Sequence, residues 1–327
     1  MKDFINFITH PVFIWVVVAL LVIGLGFLVA SYLVASHMVY VKTLKRQTKD
    51  TWAREVPSEL EERSVQMYNV GRQWATENAH RKHDVHIVNN GLNLYGEFYD
   101  FGSDKCVFVM SGRTESLTYG YYFAIPYAKC GYSVLVVDPR AHGFSDGEYN
   151  TVGFEESKDA AAWVNHIKEK FNVKSVVIHG ICIGAAGGML MSTSKDCPDV
   201  VDAIVTEGMF VNFAESVKNH LIERKKPVFI MLDLIDGKMK KYTGHSMKFG
   251  PVDVIDKLDK PLLMLHSKED IYSTPDKAEI LFAKAGTKDK QIVWFEKGDH
   301  SMLRYTDTER YDGAIADFLK KLNNKGE

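Results

Sequence analysis

Three short segments of the chain each place a reactive side chain directly after a run of apolar residues. Cys182 follows Ser175–Ile178 and His179-Gly180-Ile181, Asp270 follows Leu262–His266 by a few residues, and His300 follows Gln291–Phe295. A thiol can attack an acyl carbon, a histidine can take its proton, and a carboxylate can hold the histidine in one tautomer. The three segments together therefore predict nucleophilic acyl chemistry.

Cys182 stands between Gly180 and Gly184, after an apolar strand and before a helix of small residues. This pattern is typical of a nucleophile elbow, a strained turn whose flanking glycines leave room for one outward side chain. The following helix would present free N–H groups to developing negative charge and would favour the thiolate. The alternative interpretation is a buried structural cysteine in a glycine-tolerant turn.

The order nucleophile, acid, histidine along the chain is the order known for one triad-bearing fold. Taken separately, Asp270 could cap a helix and His300 could belong to a surface loop. Glu207, which also follows a strand, is the alternative acid. Three loops at one sheet edge would bring the groups within hydrogen-bond reach, which favours Asp270 and His300 as a set.

The elements needed to position these residues are short apolar strands that alternate with amphipathic helices. Such alternation predicts an α/β fold, with a mostly parallel sheet covered by helices on both faces. Asn89-Asn90-Gly91 predicts a hairpin that opens the sheet with an antiparallel pair. About 55 residues separate the strands at Thr206 and Leu262, which predicts a small helical cap inserted over the carboxyl edge. Met231, Met239 and Met247 in this insertion suit either an apolar lid over an acyl chain or simple gap-filling.

Residues Pro11–Ser36 carry no charge and exceed the roughly 20 apolar residues that a bilayer core requires. We therefore predict a single-pass membrane anchor, with a cleaved signal peptide as the alternative. Lys42, Lys45, Arg46 and Lys49 follow the span closely, and the positive-inside tendency then places the catalytic domain in the cytoplasm, with the extracellular face as the alternative.

The predicted organisation has an anchor, a helical connector, a catalytic domain and a cap within that domain: residues 1–40, 41–83, 84–327 and about 209–250. Pro57, Ser58 and Glu61 resemble a helix start with a capping box inside the connector. The aromatic residues Tyr68 and Trp74 predict that the connector packs on the domain that follows it.

Composition narrows the classes of function. The 327 residues are 46% hydrophobic and 25% charged, with a net charge of -2, as in an ordinary folded protein and unlike a nucleic-acid binder. Four cysteines without paired or metal-like spacing argue against a disulfide framework and a zinc site. No phosphate loop, dinucleotide fingerprint or metal-ligand cluster occurs, so no cofactor is expected. Oligomeric state is left open.

Beyond the elbow, Asp138-Pro139-Arg140-Ala141-His142-Gly143-Phe144-Ser145-Asp146-Gly147 and the segment from Gly250 to His266 are similar to motifs of the α/β-hydrolase superfamily. The chain from about residue 83 to its end resembles this superfamily, in particular bacterial single-span hydrolases of the serine-aminopeptidase-like group. The resemblance implies Cys182 as nucleophile, Asp270 as acid and His300 as base. It also implies an oxyanion hole formed by the backbone N–H groups of Ile183 and Arg113.

Two departures from the family pattern matter. Ser111-Gly112 stands where many relatives have His-Gly, and Cys182 stands where serine is usual. The cysteine is either a working nucleophile, a replacement for serine, or a mark of a non-catalytic relative that binds acyl ligands or a protein partner. We predict a hydrolase that cleaves a carboxylic ester or related acyl bond of a small-molecule substrate through a covalent acyl-enzyme. A peptidase and a silenced, membrane-tethered binding protein are the alternatives.

Overall fold

A computed structural model describes residues 2–54 and 62–324. The predicted capping box at Pro57, Ser58 and Glu61 lies outside these residues. The strands are β1 Lys82–Asn89, β2 Leu92–Tyr99, β3 Lys105–Met110, β4 Ser133–Val137, β5 Ser175–Ile181, β6 Val201–Glu207, β7 Leu262–Ser267 and β8 Lys290–Phe295. The helices are α1 Lys2–Ile8, α2 Pro11–Leu44, α3 Glu62–Glu77, α4 Leu117–Lys129, α5 Phe154–Phe171, α6 Ile183–Ser192, α7 Phe213–Glu223, α8 Met231–Thr243, α9 Pro275–Lys284, α10 Leu303–Thr306 and α11 Thr308–Asn324.

The eight strands form one sheet in the order β1-β2-β4-β3-β5-β6-β7-β8. β1 and β2 form an antiparallel hairpin, β2 pairs antiparallel with β4, and every other neighbouring pair is parallel. At the hairpin turn Asn90 and Gly91 both have positive φ, 49° and 77°, as the favoured two-residue turn requires. The predicted fold class is confirmed.

Helices cover both faces of the sheet, because strands β3 to β7 are apolar on both sides. One buried cluster joins the sheet to α5, α6 and α9, with Trp163, Met189 and Leu281 among its members. The other joins it to α3, α4 and α11, and Tyr68 and Trp74 of α3 belong there as the sequence predicts. The parallel strands therefore end at a common carboxyl edge that is fixed from both faces.

Helix α2 is longer than the predicted anchor and continues without a break through residue 40 to Leu44. Its 34 residues extend about 51 Å at 1.5 Å per residue. Its apolar part is exposed, whereas Tyr40 and Leu44 near its end are buried against the rest of the chain. Beyond the helix, Arg46 donates hydrogen bonds to the carbonyls of Gly143 and Ser145. The helix is therefore joined to the catalytic domain by direct packing.

The insertion after β6 contains α7 and α8, so the predicted helical cap is present. Met231, Met239 and Met247 are buried in an apolar cluster with Tyr40 and Leu44 of α2. None of these methionines lines the cavity beside Cys182. Of the two sequence interpretations, gap-filling is the one the structure supports, and these residues form no lid over an acyl chain.

The loop after β4 is built around the buried carboxylate of Asp138. Its Oδ1 accepts the N–H of Leu117 at the start of α4, and its Oδ2 accepts the N–H of Phe144 and the Arg54 guanidinium. A Cβ on Gly143 would lie 2.3 Å from this carboxylate, and the φ of Gly143 is +48°, so both space and backbone demand glycine here. Arg140 forms a two-bond ion pair with Asp159 on α5. These contacts fix the loop beside the carboxyl edge.

Candidate active site

Cys182 occupies the sharp turn between β5 and α6. Its backbone has φ 51° and ψ −109°, a conformation that non-glycine residues rarely adopt and that is typical of strained functional turns. The Cys182 N–H donates to the carbonyl of Glu207 on the neighbouring strand at 2.9 Å, which holds the turn in place. The side chain is partly exposed and lines a cavity, so the structure does not favour a buried structural cysteine.

Two glycines leave room for this turn. A Cβ on Gly184 would lie 2.0 Å from the carbonyl oxygen of Met110, and a Cβ on Gly180 would lie 2.4 Å from the Cα of Ala185. Both distances involve backbone atoms that cannot move aside without shifting a strand or a helix. The elbow therefore requires glycine on either side of Cys182, as the sequence spacing predicts.

Asp270 and His300 meet at the same edge. Asp270 Oδ2 lies 2.7 Å from His300 Nδ1, and Asp270 Oδ1 accepts the N–H groups of Tyr272 and Ser273. Burial would raise the pKa of Asp270, but the His300 charge and these hydrogen bonds hold it below its usual value. The ionised carboxylate fixes the tautomer of His300 with its proton on Nδ1 and leaves Nε2 for the nucleophile.

Cys182 and His300 also interact. Burial would lower the pKa of His300, but the charges of Asp270 and Cys182, with hydrogen bonds to both, raise it well above its usual value. A histidine with a raised pKa can take the thiol proton of Cys182 and later give a proton to a leaving group. The structure thus brings together all three side chains that the sequence singles out.

The predicted oxyanion donors lie beside Cys182. The Ile183 N–H is at the first turn of α6, where backbone donors have no intrahelical partner. Within residues 2–54 and 62–324, no acceptor is found for the N–H of Ile183 or of Arg113. The intervening Gly112 N–H is occupied, because it donates to Glu115 Oε2 at 2.9 Å. Two unpaired N–H groups beside a nucleophile can hold the oxygen of a tetrahedral intermediate.

A cavity of about 240 Å³ opens over Cys182 and His300. The loop after β3, the cap helix α7 and the first turn of α3 form its walls, and most of its lining groups are polar or aromatic: Tyr68, Arg113, Glu115, His220, Tyr272 and Ser301. Sequence reasoning selected Arg113 only for its backbone and did not select Glu115 or His220. Their positions depend on loop and cap conformations that leave no periodic signal. Within the described residues no cluster of side chains suited to a metal ion is found.

Glu207, the alternative acid, is not the partner of His300. It is buried beneath the site, where its carboxylate accepts the N–H of Leu303 and the hydroxyl of Tyr311. Tyr311 also contacts His179, which hydrogen-bonds to Tyr127 as a packed strand residue. Because Leu303 lies three residues after His300, Glu207 fixes the loop that carries the base. Burial raises the pKa of Glu207 to about 7.

Replacement of Glu207 by glutamine is expected to change how stability depends on pH. A carboxyl group whose pKa rises from 4.5 to about 7 on folding takes up a proton between those values, so its contribution to the free energy of unfolding falls as pH rises through that window. Glu207→Gln cannot ionise at this position and removes this fall, which is about 3 kcal/mol for these two pKa values. Denaturant unfolding at pH 4.5 to 8 measures it, with Asp202→Asn on the same strand as control. Equal slopes for the unmodified chain and Glu207→Gln would contradict the assignment.

Comparison with known proteins gives a consistent set of relatives. A family described as the alpha/beta hydrolase fold matches residues 105–233. The chain is 31% identical over 226 residues to the uncharacterized protein YqkD of Bacillus subtilis, covering 68% of this chain and 72% of that protein. It is 25% identical over 197 residues to the alpha/beta hydrolase domain-containing protein WAV2 of Arabidopsis thaliana, covering 59% and 61%.

Among solved structures, the Pyrococcus furiosus esterase Pf2001 is similar to this chain with a TM-score of 0.64 and 19% identity. The similarity covers 82% of this chain and 97% of that one. At this level of identity the likeness concerns the fold.

Proposed function

Because this chain belongs to the α/β-hydrolase superfamily, we propose that it cleaves a carboxylic ester or related acyl bond by attack of the Cys182 thiolate. The hydrolase class follows from the family. The proposal concerns the nucleophile, the covalent intermediate and the kind of bond that is cleaved. The observation that carries the proposal is the arrangement of Asp270, His300 and Cys182 beside two unpaired backbone donors.

The mechanism follows from these positions. His300 takes the thiol proton of Cys182 on Nε2, and the sulfur attacks the acyl carbon. The carbonyl oxygen that gains negative charge is held by the N–H groups of Ile183 and Arg113. The protonated His300 gives its Nε2 proton to the leaving group as the tetrahedral intermediate collapses to a thioester. His300 then takes a proton from water, and the resulting hydroxide equivalent attacks the thioester and releases the acid. Asp270 keeps His300 oriented and stabilises its charged form throughout.

The thiol favours particular acyl bonds. A thiolate leaves a tetrahedral intermediate more readily than an alkoxide or an amine does, so attack goes forward most readily when the substrate's own leaving group is good. The proposed substrates are therefore activated esters, thioesters or lactones, and the same argument counts against amides and a peptidase role. A non-catalytic binding role is also disfavoured, because the acid and the base are both present and hydrogen-bonded.

We also propose that α2 anchors the enzyme in a membrane. It is the one helix within the described residues that is long and apolar enough to cross a bilayer, with a window of mean hydropathy 3.1 that is fully unburied. The basic residues that follow the apolar run, Lys42, Lys45, Arg46 and Lys49, favour a cytoplasmic catalytic domain.

The covalent intermediate is directly testable. The full chain in detergent is mixed with p-nitrophenyl butyrate and quenched in acid during turnover, and the intact mass is measured. We expect an added butyryl group that maps to the peptide containing Cys182 and is removed by neutral hydroxylamine, as thioesters are. Turnover without any adduct on Cys182, or an adduct on another residue, would refute the proposed nucleophile.

A further inference from the structure

The cavity above Cys182 contains a positive charge that the proposed reaction does not use. The Arg113 side chain lines this cavity, and within residues 2–54 and 62–324 it has no ion pair or side-chain hydrogen bond. A guanidinium stays protonated in proteins and presents five N–H donors. Partly buried cations of this kind normally have a partner, because desolvation without one costs free energy.

No side chain within residues 2–54 and 62–324 forms an ion pair with Arg113. Burial has the largest effect on its pKa and lowers it, the nearby Cys182 and Glu115 act in the opposite direction, and Arg224 after cap helix α7 lowers it further. Glu115 lies in the same cavity, where its carboxyl group accepts the Gly112 N–H, and burial raises its pKa to about 8. Asp270 is not among the residues that line the cavity, and its carboxylate is hydrogen-bonded to His300.

A second polar group in the cavity also lacks a partner. His220 of α7 lines the cavity and stacks on Tyr272 with ring centroids 3.8 Å apart. Its Nδ1 is buried with no hydrogen-bond partner among the described residues. Burial and the nearby Arg113 and Arg224 lower its pKa to about 4, so the ring is neutral and offers one donor and one acceptor.

We infer that Arg113, assisted by His220, binds a carboxylate carried by the substrate, so that the preferred substrates are acyl esters with a second, free carboxylate group. A guanidinium fork matches the two oxygens of a carboxylate and holds them in a fixed direction. The backbone N–H of Arg113 would hold the oxyanion while its side chain binds the far end of the same substrate. One residue would thus set both the position of the reacting carbonyl and the class of molecule that carries it.

This inference builds on the proposed acyl hydrolysis, and its test compares two matched substrates. The full chain in detergent is assayed with mono-p-nitrophenyl glutarate and with p-nitrophenyl butyrate, and the ratio of kcat/KM for the two is determined. We expect the unmodified chain to prefer the glutarate ester. Arg113→Met should lower the ratio by about 10- to 100-fold, the range of a charge-assisted hydrogen bond. Arg113→Lys should recover part of it.

The control variant is Lys218→Met, which removes a positive charge from cap helix α7. Lys218 pairs with Glu215 and is not among the residues that line the cavity. We expect this variant to keep the kcat/KM ratio of the unmodified chain, because the selectivity is attributed to Arg113 and not to the general positive charge of the surface. An equal fall of the ratio in Lys218→Met and Arg113→Met would overturn the assignment to Arg113. A preference of the unmodified chain for the neutral ester, or for a phosphonate analogue over the carboxylate, would overturn the substrate class.

A binding measurement separates this inference from the proposed reaction. Calorimetric titration of glutarate into the unmodified chain and into Arg113→Met does not require turnover. Arg113-dependent binding without ester hydrolysis would support the carboxylate site and refute the proposed function. Hydrolysis of p-nitrophenyl butyrate with no selectivity and no glutarate binding would refute the carboxylate site and leave the proposed function standing.

Discussion

Cys182→Ala is expected to lower kcat for p-nitrophenyl butyrate by at least about 10⁴-fold, because it removes the atom that forms the covalent bond. The residual rate would come from the Ile183 and Arg113 N–H groups and from substrate binding. The fold is expected to survive, since the Cys182 side chain points into a cavity and the turn is held by backbone contacts. Steady-state kinetics with matched circular dichroism spectra measure both effects.

The Cys182→Ser variant distinguishes a working thiol nucleophile from a replacement for serine and from a non-catalytic cysteine. With a working thiol, the serine variant is expected to be slower than the unmodified chain, because a hydroxyl is a weaker nucleophile than a thiol. An inert unmodified chain and an active Cys182→Ser variant would show a serine hydrolase site with its nucleophile exchanged. Inertness of all three forms would support a binding role.

His300→Ala is expected to reduce kcat by about 10⁴-fold, and Asp270→Asn by about 10² to 10⁴-fold. The histidine variant loses both the base that takes the thiol proton and the acid that protonates the leaving group. The asparagine variant keeps the shape but can present an N–H where Nδ1–H needs an acceptor, so the ring turns or changes tautomer. Ester hydrolysis by purified variants measures these losses, with the exposed His86→Gln on edge strand β1 as control.

Added imidazole provides a readout that a purely structural role would not change. In His300→Ala it should restore part of the rate, because a free base can enter the partly open cavity above Cys182. It should not rescue Cys182→Ala. Full activity of His300→Ala, or a loss in His86→Gln of similar size, would contradict the role given to His300.

The residues of the site that follow strands could be predicted from the sequence. Parallel strands end at one edge, so the apolar runs before Cys182, Asp270 and His300 were sufficient to place them together. The glycines of the elbow supported the same prediction. A Cβ on Gly184 or Gly180 would lie only 2.0 or 2.4 Å from a backbone atom, so no other residue fits at either position.

What the sequence could not predict depends on tertiary contact. Glu207 is the last residue of β6, and only the path of the loop after β8 shows that it binds the Leu303 N–H instead of His300. The direction of the Arg113 side chain depends on a loop whose next residue, Thr114, has a φ of 71°. Tyr40 and Leu44 are buried because the end of α2 packs against the cap. Apolar periodicity alone does not show at which residue a helix becomes buried.

The order of strands in the sheet also determines when the site can form during synthesis of the chain. β3 pairs with β4 and β5, and then β6, β7 and β8 each add to the edge that the preceding strand left open. Cys182 leaves the ribosome well before Asp270 and His300 do. Because a domain generally folds as a unit, the three side chains can come together only after β7 and β8 have joined the sheet.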